Sequence, residues 1–334
     1  MNGRNNISQF DVIRWLRFPM IVLVTYAHSY GHVAEGFNLL VSDWSTYDFL
    51  KLLVSQTLVK VAVPVFFIMS GYLFFANVEE WNMHVYKEKM LRRIKSLLLP
   101  YLVWNLMMVF KLKSFSWSIF WEPANMPLWF LRDLIIVSLF TPVIYIGVKR
   151  LGYWLLVALL PVYLSGIWLI QPGVNPYGIC FFTLGAFMSI RKLELVDTCM
   201  RYKMPAYILS ALFGLGMLMT YGTSMFPCLM LAFRLTGAIA VFCLGASFKV
   251  HKVPVPLCKS AQGDRNLVQS SAYFIYLAHY VFFFSFIDTT FFSLFDTSEL
   301  SLCLHYLFCP LIKVIVLIFI YKIAYTAYTK YLSV

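Results

Sequence analysis

The chain has 334 residues, of which 61% are hydrophobic and only 13% charged, with a mean hydropathy of +0.75. Soluble domains are about a quarter charged, so this composition excludes a soluble enzyme and implies a protein that lives in a membrane. The formal net charge of +12 is concentrated in alternate loops, which argues for membrane topology and against a nucleic-acid partner.

Met1–Gln9 is polar and no small-residue cleavage site follows a short apolar core, so no removable signal peptide is expected. Apolar runs near the ~20 residues needed to cross the hydrocarbon core then recur along the whole length. Ten spans are expected, at 14–33, 50–76, 91–110, 127–148, 152–170, 174–190, 205–222, 226–248, 270–294 and 302–325. The segment at 174–190 is short and contains Gly178 and Gly185. No soluble linker, repeat or low-complexity tract interrupts the series. The expected fold is an all-α polytopic helical bundle, one integral-membrane domain over 1–334 with a short cytoplasmic segment at 1–13.

The basic residues fall on one side: Arg4 with Arg14, then Lys87 to Lys95, Lys149 with Arg150, Arg191 to Lys203, Lys249 to Arg265, and Lys322 with Lys330. The opposite loops carry Glu35, Asp43 and Asp48, or Asp296 and Glu299, and only Lys111 and Lys113 break the pattern. The positive-inside rule then places both termini in the cytoplasm, and an even number of spans agrees because it puts both ends on one side. The seven cysteines show no metal-ligand spacing and mostly lie in apolar segments, so neither a metal nor a disulfide is expected.

Span 1 reads Trp15-Leu-Arg-Phe-Pro-Met-Ile-Val-Leu-Val-Thr-Tyr-Ala-His28. An ionisable group at the centre of a spanning helix costs roughly 2.5–3.5 kcal/mol on insertion scales, so Arg17 and His28 mark a candidate site. Eleven residues of helix return to within about 20° of the starting face and advance about 16 Å. One face therefore carries a guanidinium near one end and an imidazole near the other. The bland readings are a snorkelling flank arginine and a histidine hydrogen-bonded between helices.

Span 2 ends in Phe66-Phe-Ile-Met-Ser-Gly-Tyr-Leu73, where Ser70-Gly71 is a small pair that lets another helix approach closely. The basic run Lys87-Glu-Lys-Met-Leu-Arg-Arg-Ile-Lys95 enters span 3 from the cytoplasm. It is a topology signal, and it also offers guanidinium and ammonium groups where a phosphorylated donor would arrive. Span 4 opens with Met126-Pro-Leu-Trp-Phe-Leu-Arg-Asp-Leu134. Arg132 and Asp133 lie inside it and point about 100° apart, so each is expected to pair on another helix, either as a structural ion pair or as a substrate contact. Span 9 carries a second intramembrane histidine, His279.

Taken in order, Arg17-x10-His28, Phe66-Phe-Ile-Met-Ser-Gly-Tyr-Leu73, the arginine-rich entry ending in Pro100-Tyr101, Pro127-Leu-Trp-Phe-Leu131 and Ile275-Tyr-Leu-Ala-His279 resemble the integral-membrane acyltransferases of acyltransferase family 3. The likeness covers nearly the whole chain. It implies a membrane enzyme that acylates sugars and glycans, usually in the bacterial cytoplasmic membrane. It assigns catalysis to His28 with Arg17 as partner, and donor binding to Arg92 and Arg93, beside which Lys95 and Arg14 are further candidates. Ser70, Tyr72, Trp129, Arg132, Asp133 and His279 are candidates for substrate binding. One departure lies at Ser96 and Leu97, where relatives often carry a further basic residue.

The implied donor is acetyl-coenzyme A or another acyl-coenzyme A, used as a substrate and not held permanently. The partners expected are membrane lipid, a glycan or lipid-linked sugar acceptor, and other glycan-assembly proteins. His28 suits the chemistry as general base or as a transient acyl carrier, and these routes stay open. Some relatives carry an extra-membrane hydrolase-like domain, and none is expected here after the last helix. The rival reading is a proton-coupled transporter or flippase of a glycan or lipid-linked sugar, which intramembrane His, Arg and Asp would also suit.

Overall fold

The computed structural model describes residues 9–28, 43–112, 116–117, 121–165, 175–250, 267–280 and 298–331. These residues are helical throughout their regular structure, with no strand among them. The helices are α1 (Gln9–Ala27), α2 (Thr46–Phe75), α3 (Met83–Leu112), α4 (Met126–Leu139), α5 (Thr141–Leu151), α6 (Trp154–Ser165), α7 (Pro176–Ile190), α8 (Leu195–Arg201), α9 (Lys203–Thr220), α10 (Met225–Val250), α11 (Leu267–Ala278) and α12 (Glu299–Tyr331). Five are long and apolar enough to cross a membrane, or six if the bent pair α4–α5 is one span. The chain is an all-α polytopic membrane bundle. The parts of the expected spans at 29–33, 166–170 and 281–294 lie outside the described residues.

Several expected spans are broken or displaced, each for a local reason. The span expected at 127–148 bends by 60° between α4 and α5. Pro142 has no N–H to give the Ser138 carbonyl, and the Thr141 hydroxyl takes its place at 2.7 Å. The third span begins at Met83, well before residue 91, because Asn82 caps it by accepting from the Val85 amide at 2.9 Å. A π-helical turn at Ile94–Leu98 follows, just before Pro100, which again removes a donor. In α2 a similar π turn spans Leu52–Thr57, and the Thr57 hydroxyl donates to the Leu52 carbonyl at 3.0 Å. The short segment at 174–190 forms α7, with 15 residues.

The chain divides into two compact units. The first holds residues 1–62, 210–230 and 244–334. In it α1 packs on α11 and α12, and α11 on α12. Val12, Ile13, Leu16, Met20, Ile21 and Val24 recur at helical spacing and are all buried, which makes one face of α1 the core face. Gly245 lets the Leu16 side chain come within 2.9 Å of where a Cβ would stand.

The second unit holds residues 63–209 and 231–243. Its tightest crossing is between the second half of α2 and α7. A Cβ added to Gly71 would lie 2.0 Å from the Phe182 carbonyl oxygen, and one added to Gly185 would lie 2.0 Å from that of Ile68. The Ser70-Gly71 step is thus a point of close helix approach, as its small residues imply.

Candidate active site

The sequence candidates fall into two groups, one in each unit. In the first unit, Arg14, Arg17 and His28 sit on or just beyond α1, and His279 just beyond α11. The last turn of α1 is held by polar contacts from two other helices. The Tyr26 hydroxyl donates to the Leu307 carbonyl at 2.6 Å, and the Ser55 hydroxyl to the Tyr26 carbonyl at 2.8 Å. Ser55 also shares a 2.6 Å hydrogen bond with the Tyr306 hydroxyl. These contacts fix the backbone from which His28 projects, and the His28 amide itself donates to the Thr25 carbonyl at 3.3 Å.

His28 is half-buried, and its ring centre lies 5.4 Å from that of His279 and 5.9 Å from that of Tyr280. The His279 Nδ1 lies 2.8 Å from the Tyr276 carbonyl and 3.2 Å from that of Ile275. Carbonyls only accept, so Nδ1 carries the proton and Nε2 presents its lone pair. Nε2 is buried and has no hydrogen-bond partner among the described residues. His279 is therefore a fixed acceptor beside His28, which the sequence left open between function and packing. Lys313 of α12, buried to 1% exposure, adds a positive charge that acts on His279.

Arg17 lies on the exposed side of α1, about 16 Å along the axis from His28 by helical rise. Arg14, one turn earlier, makes a long 3.9 Å contact with Asp11 at the surface. An exposed pair of this kind contributes little to stability.

In the second unit, Arg93 donates from Nη2 to the Ser70 hydroxyl at 3.0 Å and sits over the Phe74 ring at 5.2 Å. Two candidates, Ser70 and Arg93, are thus in direct contact. Arg92 is exposed, with Glu88 3.9 Å away, and Lys95 is exposed too. Tyr72 is buried where Gly185 approaches α2. Trp129 meets the Tyr177 ring edge-on at 6.3 Å.

Arg132 and Asp133 depart from expectation. Each was expected to pair on another helix, yet they pair with one another. Arg132 Nη2 and Nε donate to Asp133 Oδ1 at 2.8 and 3.0 Å. The long arginine side chain swings back across the 100° between neighbours. Partners elsewhere complete the pair: Asp133 Oδ2 accepts from the Asn175 amide at 2.9 Å, and Arg132 Nη1 donates to the Trp121 carbonyl. Arg132 is 8% exposed and Asp133 fully buried.

Sequence reasoning passed over four further cations inside apolar helices: Lys51, Lys60, Arg234 and Lys313. The signal was present, since each is an ionisable residue within an expected span. Lys51 is buried between Asp48, at 3.4 Å, and the Tyr47 ring, at 4.3 Å. Arg234 of α10 sits over the Tyr177 ring at 4.5 Å.

Residues 7–322 match the family model described as an acyltransferase domain, Acyl_transf_3. The succinoglycan biosynthesis protein ExoH of Rhizobium meliloti (strain 1021) is 23% identical over 184 residues, 47% of this chain and 47% of that protein. The match thus spans about half the length of this curated relative. No solved structure matches the chain significantly.

Proposed function

Because the chain belongs to the acyltransferase family whose model spans residues 7–322, we propose that it moves an acetyl or other short acyl group from acyl-coenzyme A to a hydroxyl of a cell-surface polysaccharide or lipid-linked sugar. The similarity to a protein named for succinoglycan biosynthesis supports a glycan acceptor. The observation that carries the reading is the half-buried His28 at the end of α1, with the fixed acceptor His279 beside it.

In this reading an imidazole nitrogen of His28 takes the proton from the sugar hydroxyl as its oxygen attacks the thioester carbon. The carbon–sulfur bond then breaks and the proton passes to the departing thiolate, leaving an ester and free coenzyme A. His279 presents a lone pair that orients a hydroxyl or a protonated His28. Donor phosphates are recognised by Arg92, Arg93 and Lys95 at the start of α3, and Arg17 holds a second anionic part of the donor along α1. The charge distribution supports both termini in the cytoplasm, and the family supports the cytoplasmic membrane of a bacterium.

The test is purified protein in liposomes, given radiolabelled acetyl-coenzyme A and a glycan or lipid-linked sugar extract. Label reaches sugar with wild type and with neither His28→Ala nor Arg17→Ala. Intact donor across a panel of acyl donors and acceptors would overturn the proposal and favour transport.

A further inference from the structure

Arg234 is the tenth residue of α10 and so lies about 14 Å from the start of that helix, within an apolar stretch. It is half-buried. Its guanidinium stacks on the face of Tyr177, which is itself buried. A guanidinium stacked in this way points its five N–H donors sideways, away from the ring.

Among the described residues those donors have no acceptor: Arg234 makes no hydrogen bond and no ion pair there. Asp133 is the only buried carboxylate among the described residues. Its charge and that of Arg234 both reach the Tyr177 phenol, so it is the nearby candidate to neutralise Arg234. Both its oxygens are already committed, however, Oδ1 to Arg132 and Oδ2 to the Asn175 amide. Arg132 and Asp133 cancel one another, and no carboxylate among the described residues compensates the positive charge of Arg234.

A second donor in the same unit is also unused. Asn105 is 2% exposed and its Nδ2 has no hydrogen-bond partner among the described residues, while its Oδ1 accepts from the Asn125 amide at 3.2 Å. A positive charge without a counter-ion among the described residues, inside an apolar helical unit, is complementary to an anionic oxygen group.

We infer that Arg234, held on the face of Tyr177, is an anion-binding subsite that takes a carboxylate or phosphate group of a substrate. The inference rests on the acyl-transfer reading for the identity of that substrate. The shared chemistry has three sources: a terminal carboxylate on the acyl group, a phosphate of the donor, or the phosphate of a lipid-linked acceptor.

The experiment measures direct binding to the full chain in detergent with three probes: acetyl-coenzyme A, succinyl-coenzyme A and a polyprenyl diphosphate. Arg234→Gln weakens at least one of them tenfold or more, and Arg234→Lys, which keeps the charge but loses the planar fork, weakens it less. Loss confined to succinyl-coenzyme A assigns the subsite to the acyl carboxylate. Equal loss for both thioesters assigns it to donor phosphate, and loss confined to the polyprenyl diphosphate to the acceptor.

Tyr177→Phe, which keeps the ring face, binds as wild type, and Tyr177→Leu binds several-fold more weakly. This pair and Arg234→Lys keep the test valid if Arg234→Gln does not fold. Unchanged affinity for all three probes in every variant overturns the inference. Acyl transfer by wild type is followed in parallel. Transfer with no dependence on Arg234 or Tyr177 overturns this inference alone, whereas Arg234-dependent binding without transfer to any acceptor overturns the acyl-transfer reading alone.

Discussion

The imidazoles of His28 and His279 lie 5.4 Å apart, centre to centre, although they come from opposite ends of the chain. The two rings are positioned differently. His28 follows the last turn of a helix pinned through Tyr26 and Ser55, whereas His279 is locked by its own backbone carbonyls. His279, with Nδ1 committed to backbone, presents only its Nε2 lone pair.

The proposed roles follow this difference: His28 is assigned as the proton acceptor and His279 as the group that positions it. His28→Ala is expected to lower kcat by about 10²–10⁴-fold, the range of general-base catalysis. His279→Asn keeps an N–H for the Tyr276 carbonyl and loses the Nε2 lone pair. It is expected to lower kcat by about tenfold while the melting temperature stays near that of wild type. A steady-state assay with a melting curve on each variant checks both, and an unchanged kcat for His279→Asn would reduce His279 to packing.

Arg93 is tied to Ser70 at 3.0 Å and stacked on Phe74, so its guanidinium is held in one place rather than waving in solvent. If it holds donor phosphate, its contact is the same in ground and transition states. Arg93→Ala is then expected to raise KM for acyl-coenzyme A by about tenfold with kcat nearly unchanged, the pattern of lost uniform binding. Arg92→Ala, which removes an exposed residue with only a 3.9 Å contact to Glu88, is expected to have the smaller effect. Initial rates over a range of donor concentrations decide between them.

Membrane class, the all-α fold and the order of the motifs were legible in the sequence because they follow from composition and from residue types at fixed spacing. The breaks were less so. Pro142 and Pro100 are visible in the sequence, but a lost backbone bond can be absorbed inside a span or can split it, and the choice depends on partners. At Ser138 the Thr141 hydroxyl supplies the missing donor and the helix turns by 60°. The Arg132–Asp133 pairing was hidden for a similar reason, since backbone geometry separates the two side chains and only the reach of arginine reunites them. The contact between the rings of His28 and His279 is a tertiary fact that no local pattern encodes.

The crossing of α2 and α7 leaves no room for a single carbon. At Gly71 and Gly185 an added Cβ would lie 2.0 Å from a backbone carbonyl oxygen of the facing helix, which cannot rotate away. Gly71→Ala and Gly185→Ala are each expected to destabilise the protein by about 3 kcal/mol, at the upper end for overpacking. Gly147→Ala is the control. Its Cβ would meet only the flexible Leu155 side chain, at 3.1 Å, so a change below about 1 kcal/mol is expected. Denaturation in detergent, followed by the exposure of buried aromatics, ranks the three.

The Arg132–Asp133 pair admits a sharper test than either residue alone. Arg132→Met leaves the fully buried Asp133 carboxylate with only the Asn175 amide for company. Removing one partner of a buried pair typically costs about 3–5 kcal/mol, because an uncompensated charge stays in a low-dielectric site. Asp133→Leu strands Arg132 in the same way, but guanidinium N–H groups can still donate to the Trp121 carbonyl, so its cost should be smaller. The double variant Arg132→Met with Asp133→Leu buries no charge and is expected to recover most of the stability. Comparing all four proteins in a double-mutant cycle separates structure from function. If the double variant is stable and still active, the pair is structural; if it is stable and inactive, the pair acts on substrate.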